Sequence, residues 1–565
     1  MSLFSSISLA NTALQAAQVG LQVAGQNIAN SNTPGYIREI AEFQPGPTQR
    51  LGNLLEGTGV ETVGVVQQVD QFLQSRLRGA TSDSSSAQVN QQTYSQLEGL
   101  VNELSDSDVS TSLDNFFSSI SDILNQPESD SVRNLAVLKG QTLTNDINSL
   151  ANNANQLRSD LNDRVGQSVD DINRLLSQVA KLNVQISNAD GGGQSPSDAV
   201  GLSDQRNTAL TQLAQLIDVK TQIQQDGSVA VFAGGDYLVL EGNARQVEVT
   251  ESVDRGMTIN NLQIAQINAK LNFTSGQVAG LINSRDNVLG TFLDKLNGLA
   301  GSLAFEFNRV YSSGQGLKGY QSLTSQAAVD DPDAALSQAG LAFSPQNGQF
   351  DVQVYNADTG LTETSIVHVD LNGLDHDTTL NDLAAQLNGI SGVSASINSQ
   401  RQLTIQSTSS NLQISFANDT SGALASLGIN TFFTGTDAFS LGINQAVAND
   451  PATFATSAGG IGADTNVAVS LAQFQDQPLT TQNSTTLSQL YDRLTSDVSQ
   501  GSAVAQNAAD SAQTFESSLN AQNLSISGVS IDDETVNMIQ YQRSFQATAK
   551  YIATLNDLLN TLINL

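Results

Sequence analysis

The sequence predicts a mainly α-helical protein with β-rich insertions, an α+β chain organised as an elongated multi-domain rod. Three observations carry that reading. Apolar heptads stand at both extreme ends, a long 4-3 apolar pattern runs through the interior, and two blocks of short alternating segments interrupt helical sequence. Near the start, Ile7, Leu14, Leu21 and Ile28 recur every seven residues, with Leu3, Ala10, Ala17 and Ala24 at the other seam position. Near the end, Met538, Phe545, Ile552 and Leu559 do the same, with Tyr541, Thr548, Leu555 and Leu562 between them. A seven-residue apolar repeat keeps one stripe of a helix turned toward a partner helix. The two ends are therefore expected to pair as a coiled coil, small alanines of the first helix facing bulkier residues of the last. Such a seam buries too little to offset the entropy of ordering both ends. Leu9, Ala13, Ala16, Val19 and Val23 also give the first helix a second apolar face. The ends are expected to be loose in a monomer and to order when other chains cover that face.

The elements follow in order. The first helix stops at Asn30-Ser31-Asn32-Thr33, followed by the breaker pair Pro34-Gly35. Beyond Tyr36 the chain reads as extended, because Pro45-Gly46-Pro47, Gly57 and Gly59 exclude long helices. Residues 60–66 alternate as a short strand or hairpin, and helical periodicity returns from about Gln68. The clearest internal helix covers 142–188. Leu143, Ile147, Leu150, Ala154, Leu157 and Leu161 follow 4-3 spacing, Val165 and Val169 add stutters, and Ile172, Leu176, Val179 and Ile186 resume the pattern. Gly191-Gly192-Gly193 ends it as a hinge. Other helical stretches are 85–125, 204–217, 278–312 and 484–523, which suit a long-helix bundle.

The first β block reads as a meander of segments at 221–225, 228–232, 237–241 and 245–249, separated by Asp226-Gly227, Gly234-Gly235 and Gly242-Asn243. In the second, strands are expected near 350–355, 365–371, 393–397, 402–407 and 412–416. A helix near 379–388 sits among them, opened by Thr379 with Asp382 three residues on. The expected division is residues 1–40 with 525–565 as the terminal coiled-coil domain, 41–84 as a connector, and 85–218, 270–320 and 440–524 as the helical rod. Residues 219–269 and 321–439 are the two insertions.

Composition narrows the function classes. A net charge of −32 opposes binding to nucleic acid or to anionic membranes. No charged residue precedes Arg38, no cysteine is available for disulfides or thiolate metal sites, and no 18-residue apolar run is long enough to insert in a membrane. The N-terminus lacks the basic region and continuous apolar core of a cleaved secretory signal.

Family resemblance enters at the turn after the first helix. Asn27-Ile28-Ala29-Asn30-Ser31-Asn32-Thr33-Pro34-Gly35-Tyr36 resembles the signature of bacterial flagellar rod, hook and hook-associated axial proteins. The stretch 538–549, with Gln542 and Arg543 at its centre, resembles the closing motif of the same proteins. Ser527-Gly528-Val529-Ser530-Ile531-Asp532-Asp533-Glu534 is similar to the hook-associated branch, where the hook protein carries Asn-Val-Asp. Asp204-Gln205-Arg206, Leu427-Gly428-Ile429-Asn430 and Phe432-Phe433-Thr434-Gly435 point the same way. Asn207 replaces an Asp usual after the Gln-Arg pair, and Tyr311 stands near a place where His is common. The resemblance implies a structural component at the junction between hook and filament, polymerising through its terminal helices. It implies export through the flagellar type III channel to the extracellular flagellum. The implied partners are other copies of the chain in an axial polymer, the hook protein, hook-associated protein 3, and an export chaperone at the C-terminal region.

No cluster argues for catalysis, a cofactor or a metal. His368 falls on the opposite face of its strand from Val367 and Val369, and His376 sits in Asp375-His376-Asp377, which loop chemistry explains as well as metal ligation. Asp330-Asp331 flanks Pro332 in a loop, and Asp532-Asp533 suits a helix start. The triglycine lacks the Lys-Ser/Thr of a phosphate loop. The alternatives are another axial component of hook or rod type, or a secreted binding protein acting through its β insertions.

Overall fold

The computed structural model describes residues 3–51, 54–102, 108–189, 199–374, 376–482 and 484–564. The triglycine hinge and Asp375 lie outside the described residues. The chain forms two compact units: Met1–Thr93, Ser159–Arg285 and Ala503–Leu565 make the first, Tyr94–Arg158 and Asp286–Ser502 the second.

The first unit opens with α1 (Leu3–Asn30) and two nested hairpins, β1 (Glu39–Pro45) with β4 (Val60–Gln67) outside and β2 (Thr48–Leu51) with β3 (Leu54–Gly57) inside. Helix α2 (Gln71–Asn102) starts close to Gln68, where helical periodicity returns, and its polar first turns bury Leu73 and Ala80. Helices α3 (Val109–Asn125), α4 (Asp130–Ala189) and α5 (Val200–Leu216) follow. Along α4 the expected apolar seam is buried from Leu143 to Ile186, apart from the half-buried Leu157. The adjacent Arg158 is fully buried instead.

The first β block contains two sheets where a single meander was expected. Strands β5 (Lys220–Ile223), β6 (Val229–Ala233), β7 (Asp236–Leu240) and β8 (Asn243–Ala244) form the meander. The segment at 245–249 belongs to β9 (Val247–Asp254), which pairs with β10 (Met257–Ile264), and β11 (Ala269–Lys270) completes that second sheet. Gln and Asn in β10 hide its alternation, although Ile259, Leu262 and Ile264 are buried.

Both sheets dock on α4 through side-chain amides that act as strand surrogates. Asn173 donates to Val247 O at 2.8 Å and accepts from Val247 N at 2.8 Å. Asn183 does the same at Val229 and also donates to Glu241 O. Asn162 accepts from Asn260 N at 2.7 Å. Two buried arginines reinforce these points: Arg206 donates to Asn183 Oδ1 and Gly227 O, Arg285 to Asn162 Oδ1 and Asn260 O. Strand ends that leave a sheet carry N–H and C=O groups without ladder partners, and burial makes each costly unless something answers it.

Helix α6 (Gln277–Asn283) belongs to the first unit, and a π-helical turn (Ser284–Leu289) leads from it into α7 (Gly290–Tyr311) of the second. The insertion comprises β12 (Ser322–Thr324), β13 (Gly348–Asn356), β14 (Leu361–Val369), α8 (Leu380–Asn388), β15 (Val393–Ile397), β16 (Leu403–Ser407) and β17 (Leu412–Ala417). Thr379 and Asp382 form the expected capping box on α8. Sheets ordered β12-β16-β15 and β14-β13-β17 enclose a core that includes Phe350, Val352, Leu383, Leu387 and Phe416. The chain continues through α9 (Ala423–Leu427), β18 (Phe433–Thr434), β19 (Gly442–Ile443), α10 (Gln445–Asn449) and α11 (Asn466–Ala472) to α12 (Leu487–Ser527) and α13 (Ile531–Ile563). Phe116, Phe307, Tyr311, Phe432, Phe433 and Phe454 pack as an aromatic core, with Phe116 and Phe432 stacked at 5.4 Å. Tyr311 is fully buried there, where an imidazole would need polar partners. A Cβ at Gly140 of α4 would lie 2.7 Å from the Phe432 ring, so glycine is what admits that ring.

Asn183→Ala strands the buried Val229 N–H and C=O, each at about 1–3 kcal/mol. Chemical denaturation should show a clear loss of stability, larger than for Asn173→Ala, whose half-buried site admits water. Equal losses would mean that burial of these groups does not set the cost.

Candidate assembly site at the paired chain ends

Helices α1 and α13 run antiparallel: Asn27 near the end of α1 meets Glu534 in the first turn of α13, and Gly20 meets Tyr541 further along. Most of the buried residues of α1 are small, namely Ser6, Ala10, Ala16, Ala17, Gly20 and Ala24, with Val23 and Asn27 the larger ones. Leu3, Ile7, Leu14, Leu21 and Ile28 flank that stripe and are half-buried. Bulk comes from α13. Met538, Tyr541, Phe545, Thr548, Ile552 and Leu559 are half-buried and Leu555 is buried, following the heptad from its first seam position; Leu562 is exposed. A Cβ at Gly20 would stand 2.6 Å from the Tyr541 ring, so the absence of a side chain there sets how closely the helices approach.

The hairpin covers part of the second apolar face of α1. Gly59, at φ +114°, lies against Leu9 and Thr12, while Ala16 and Val23 are buried. Phe43 meets Tyr541 edge to face at 6.4 Å. These contacts, absent from an estimate based on the seam alone, pair the ends within one chain.

A polar lock closes the open end of the helix pair. Asn27, fully buried, donates to Glu39 O at 2.8 Å and to Glu534 Oε2 at 3.1 Å. Its Oδ1 accepts from Tyr36 OH at 2.8 Å and from Glu39 N at 3.0 Å. Glu534 is buried and receives Arg38 through Nε at 2.8 Å and Nη2 at 2.6 Å. Arg38 N also donates to Ser527 O, which ties the turn to the end of α12. Ser530 caps α13, and Asp532, Asp533 and Glu534 occupy its first turn, where negative charge suits the helix dipole.

The remaining motif residues divide by role. Asn30 and Thr33 brace the turn, Thr33 donating to Asn30 Oδ1 at 3.2 Å. Gly35 adopts φ +81° and a Cβ there would meet Thr208 of α5, so the turn needs glycine twice over. Pro34 is exposed, as are Gln542 and Arg543 on α13. Arg38 and Glu534 escaped the sequence reading as a pair. The available signals were that Arg38 is the first charge in the chain and that one of three acids at the α13 start lies on the heptad stripe.

Asp204 extends the lock toward α5. It accepts from the Gln67 amide, and burial, reinforced by the charge of Glu39, pushes its carboxyl up to about 7 against the opposing hydrogen bonds of Ile37 and Gln67. Burial raises Glu39 as well. Tyr36 is raised by burial first and then by Glu39, Asp204 and Glu534. Elsewhere, His368 is exposed on β14 and His376 bonds Asp382 of the capping box at 2.9 Å. Among the described residues no group of acidic and histidine side chains could hold a metal ion, and no helix is long and apolar enough to cross a membrane.

Three family models match the chain: "Flagella basal body rod protein" over 7–36, "Flagellar hook-associated protein FlgK helical domain" over 94–324, and "Flagellar basal body rod FlgEFG protein C-terminal" over 520–565. Flagellar hook-associated protein 1 of Escherichia coli K12 is 27% identical over 99% of both chains. This chain belongs to the flagellar hook-associated protein 1 family. Its counterpart in Bacillus subtilis is 29% identical over 42% of this chain and 48% of its own. The structure of a flagellar hook junction protein from Burkholderia pseudomallei shares the fold, with a TM-score of 0.50 and 17% identity over 80% of this chain and all of that one. Members of the hook-associated protein 1 family are structural components of the flagellum, not enzymes, and assemble with other axial proteins.

Two outcomes follow from the lock. Arg38→Met leaves Glu534 buried and unpaired, costing on the order of 3–5 kcal/mol, and Arg38→Met with Glu534→Met should recover most of it in a double-mutant cycle. Asp204 keeps its proton in the folded chain up to about pH 7, while the unfolded carboxyl releases it near its ordinary 3.8. Its contribution is therefore fully present below about pH 4 and is lost as pH rises through about 7. Melting of Asp204→Asn should match the parent at pH 4 and exceed it at pH 8; equal melting at both would refute the assignment.

Proposed function

We propose that this chain forms the junction between flagellar hook and filament and polymerises through its paired terminal helices. The observation that carries the reading is the apolar surface that pairing leaves on α13. Val536, Ile539, Tyr551, Leu558 and Leu562 are 41–68% exposed, and Phe4 at the start of α1 is 75% exposed. Nothing among the described residues covers them, and exposed apolar side chains gathered on one helix mark an interface. Other copies of the chain supply the cover, the hook protein lies on one side of the zone and hook-associated protein 3 on the other. Before assembly an export chaperone holds the C-terminal region, and the chain leaves through the type III channel to reach the extracellular flagellum. The absence of cysteine suits passage as an extended chain.

Phe545→Asp and Ile552→Asp put a carboxylate on the stripe that faces α1, where an unpaired charge costs several kcal/mol. In a strain lacking the native chain, both variants should be exported yet fail to support filaments, while calorimetry shows the transition of the second unit unchanged. Asn556→Asp, exposed beside the seam, should support normal filaments. Normal filaments from the two seam variants would remove the terminal helices from assembly.

A further inference from the structure

We propose that the outer edge of β14 is a strand-addition site for an extended, cationic polypeptide segment of another protein. β14 pairs with β13 in unbroken register, from Gly348 opposite Val369 to Asn356 opposite Leu361. The sheet order leaves its other side free. Natural edge strands are usually kept short or blunted by proline, lysine or a bulge. These nine residues, LTETSIVHV, contain no proline, lysine or bulge, and their one charge is Glu363.

One position of the edge is already answered, and it fixes the phase of the rest. Gln386 of α8 accepts from His368 N at 3.0 Å and donates to His368 O at 3.1 Å, in the place a strand residue would take. The backbone groups of His368 therefore point away from β13. With a period of two, those of Ile366, Thr364 and Thr362 do too. Among the described residues no strand pairs with these three positions. Their side chains share one exposed face, with Ile366 54% exposed as an apolar contact for an added strand. An incoming strand would find three consecutive donor–acceptor pairs in line, the geometry of β-augmentation.

Charge selects the occupant. Residues 321–439 hold 12 Asp and Glu against a single basic residue, Arg401, whose guanidinium donates to Asp330 O. Asp351, Asp358 and Glu363 lie on β13, the connecting turn and β14 themselves. A second copy of this segment would bring like charge to the edge, whereas a segment bearing Lys or Arg is drawn to it.

The probe is a fluorescein-labelled peptide alternating Lys with Val and Thr, titrated against the full-length protein by anisotropy at low and high salt. Binding should weaken with salt. Thr364→Pro removes one outward N–H and leaves the β13 ladder intact, as proline permits on an edge strand. It should weaken binding at least tenfold with the melting transition unmoved. Ile366→Lys, which keeps the N–H and adds a repelling charge, should weaken binding similarly and covers the case in which the proline variant misfolds. No binding at millimolar peptide, equal binding of a Glu-for-Lys peptide, or affinity untouched by both variants would overturn the proposal. Self-association of the parent that either variant abolishes would overturn it in favour of a second copy.

Discussion

A carboxylate, an asparagine amide and a guanidinium meet where α1 ends and α13 begins, and the burial of Glu534 and Asn27 depends on each other and on the half-buried Arg38. Glu534 would be an uncompensated charge without Arg38, and Asn27 would leave the Glu39 backbone unanswered. The pairing of the chain ends rests on this mutual dependence. Apolar heptads alone allow helices to slide or pair either way round. A hydrogen-bonded lock at one end, with Gly20 under Tyr541 as a steric stop, fixes antiparallel register.

The same solution recurs along the chain. At Asn162, Asn173 and Asn183 a neutral amide on α4 takes the place of a neighbouring strand, and Asn308 does so for Phe432 and Phe433 in the second unit. Asn388 serves Ala395 in the insertion. Only 14% of the residues are charged, and the excess is acidic, so ion pairs could not serve at every helix–strand junction. An amide offers donor and acceptor in one group with no charge to desolvate. This allows small sheets to leave and rejoin a helical framework without stranding backbone groups.

What the sequence made legible was periodic. The heptads of both ends, the seam of α4, the Thr379 capping box and the insertion strands all follow from which face must be buried. What it hid was pairing at a distance. Arg38 and Glu534 are 496 positions apart, and nothing local distinguishes Asn183 from the many asparagines that sit in loops. The second sheet of the first β block was hidden for a related reason, since Asn260, Asn261 and Gln263 interrupt its alternation while serving as its contacts.

The central claim, that α1 and α13 pack on each other within one chain with Tyr541 seated on Gly20, is tested most directly by Gly20→Ala. In an undocked helix this change should stabilise, because alanine is favoured over glycine by roughly 1 kcal/mol. In the docked pair the added methyl meets the Tyr541 ring and forces it aside. Hydrogen exchange on the dilute monomer decides by sign: faster exchange along α13 in the variant is the predicted result, and unchanged or slower exchange there would contradict the account.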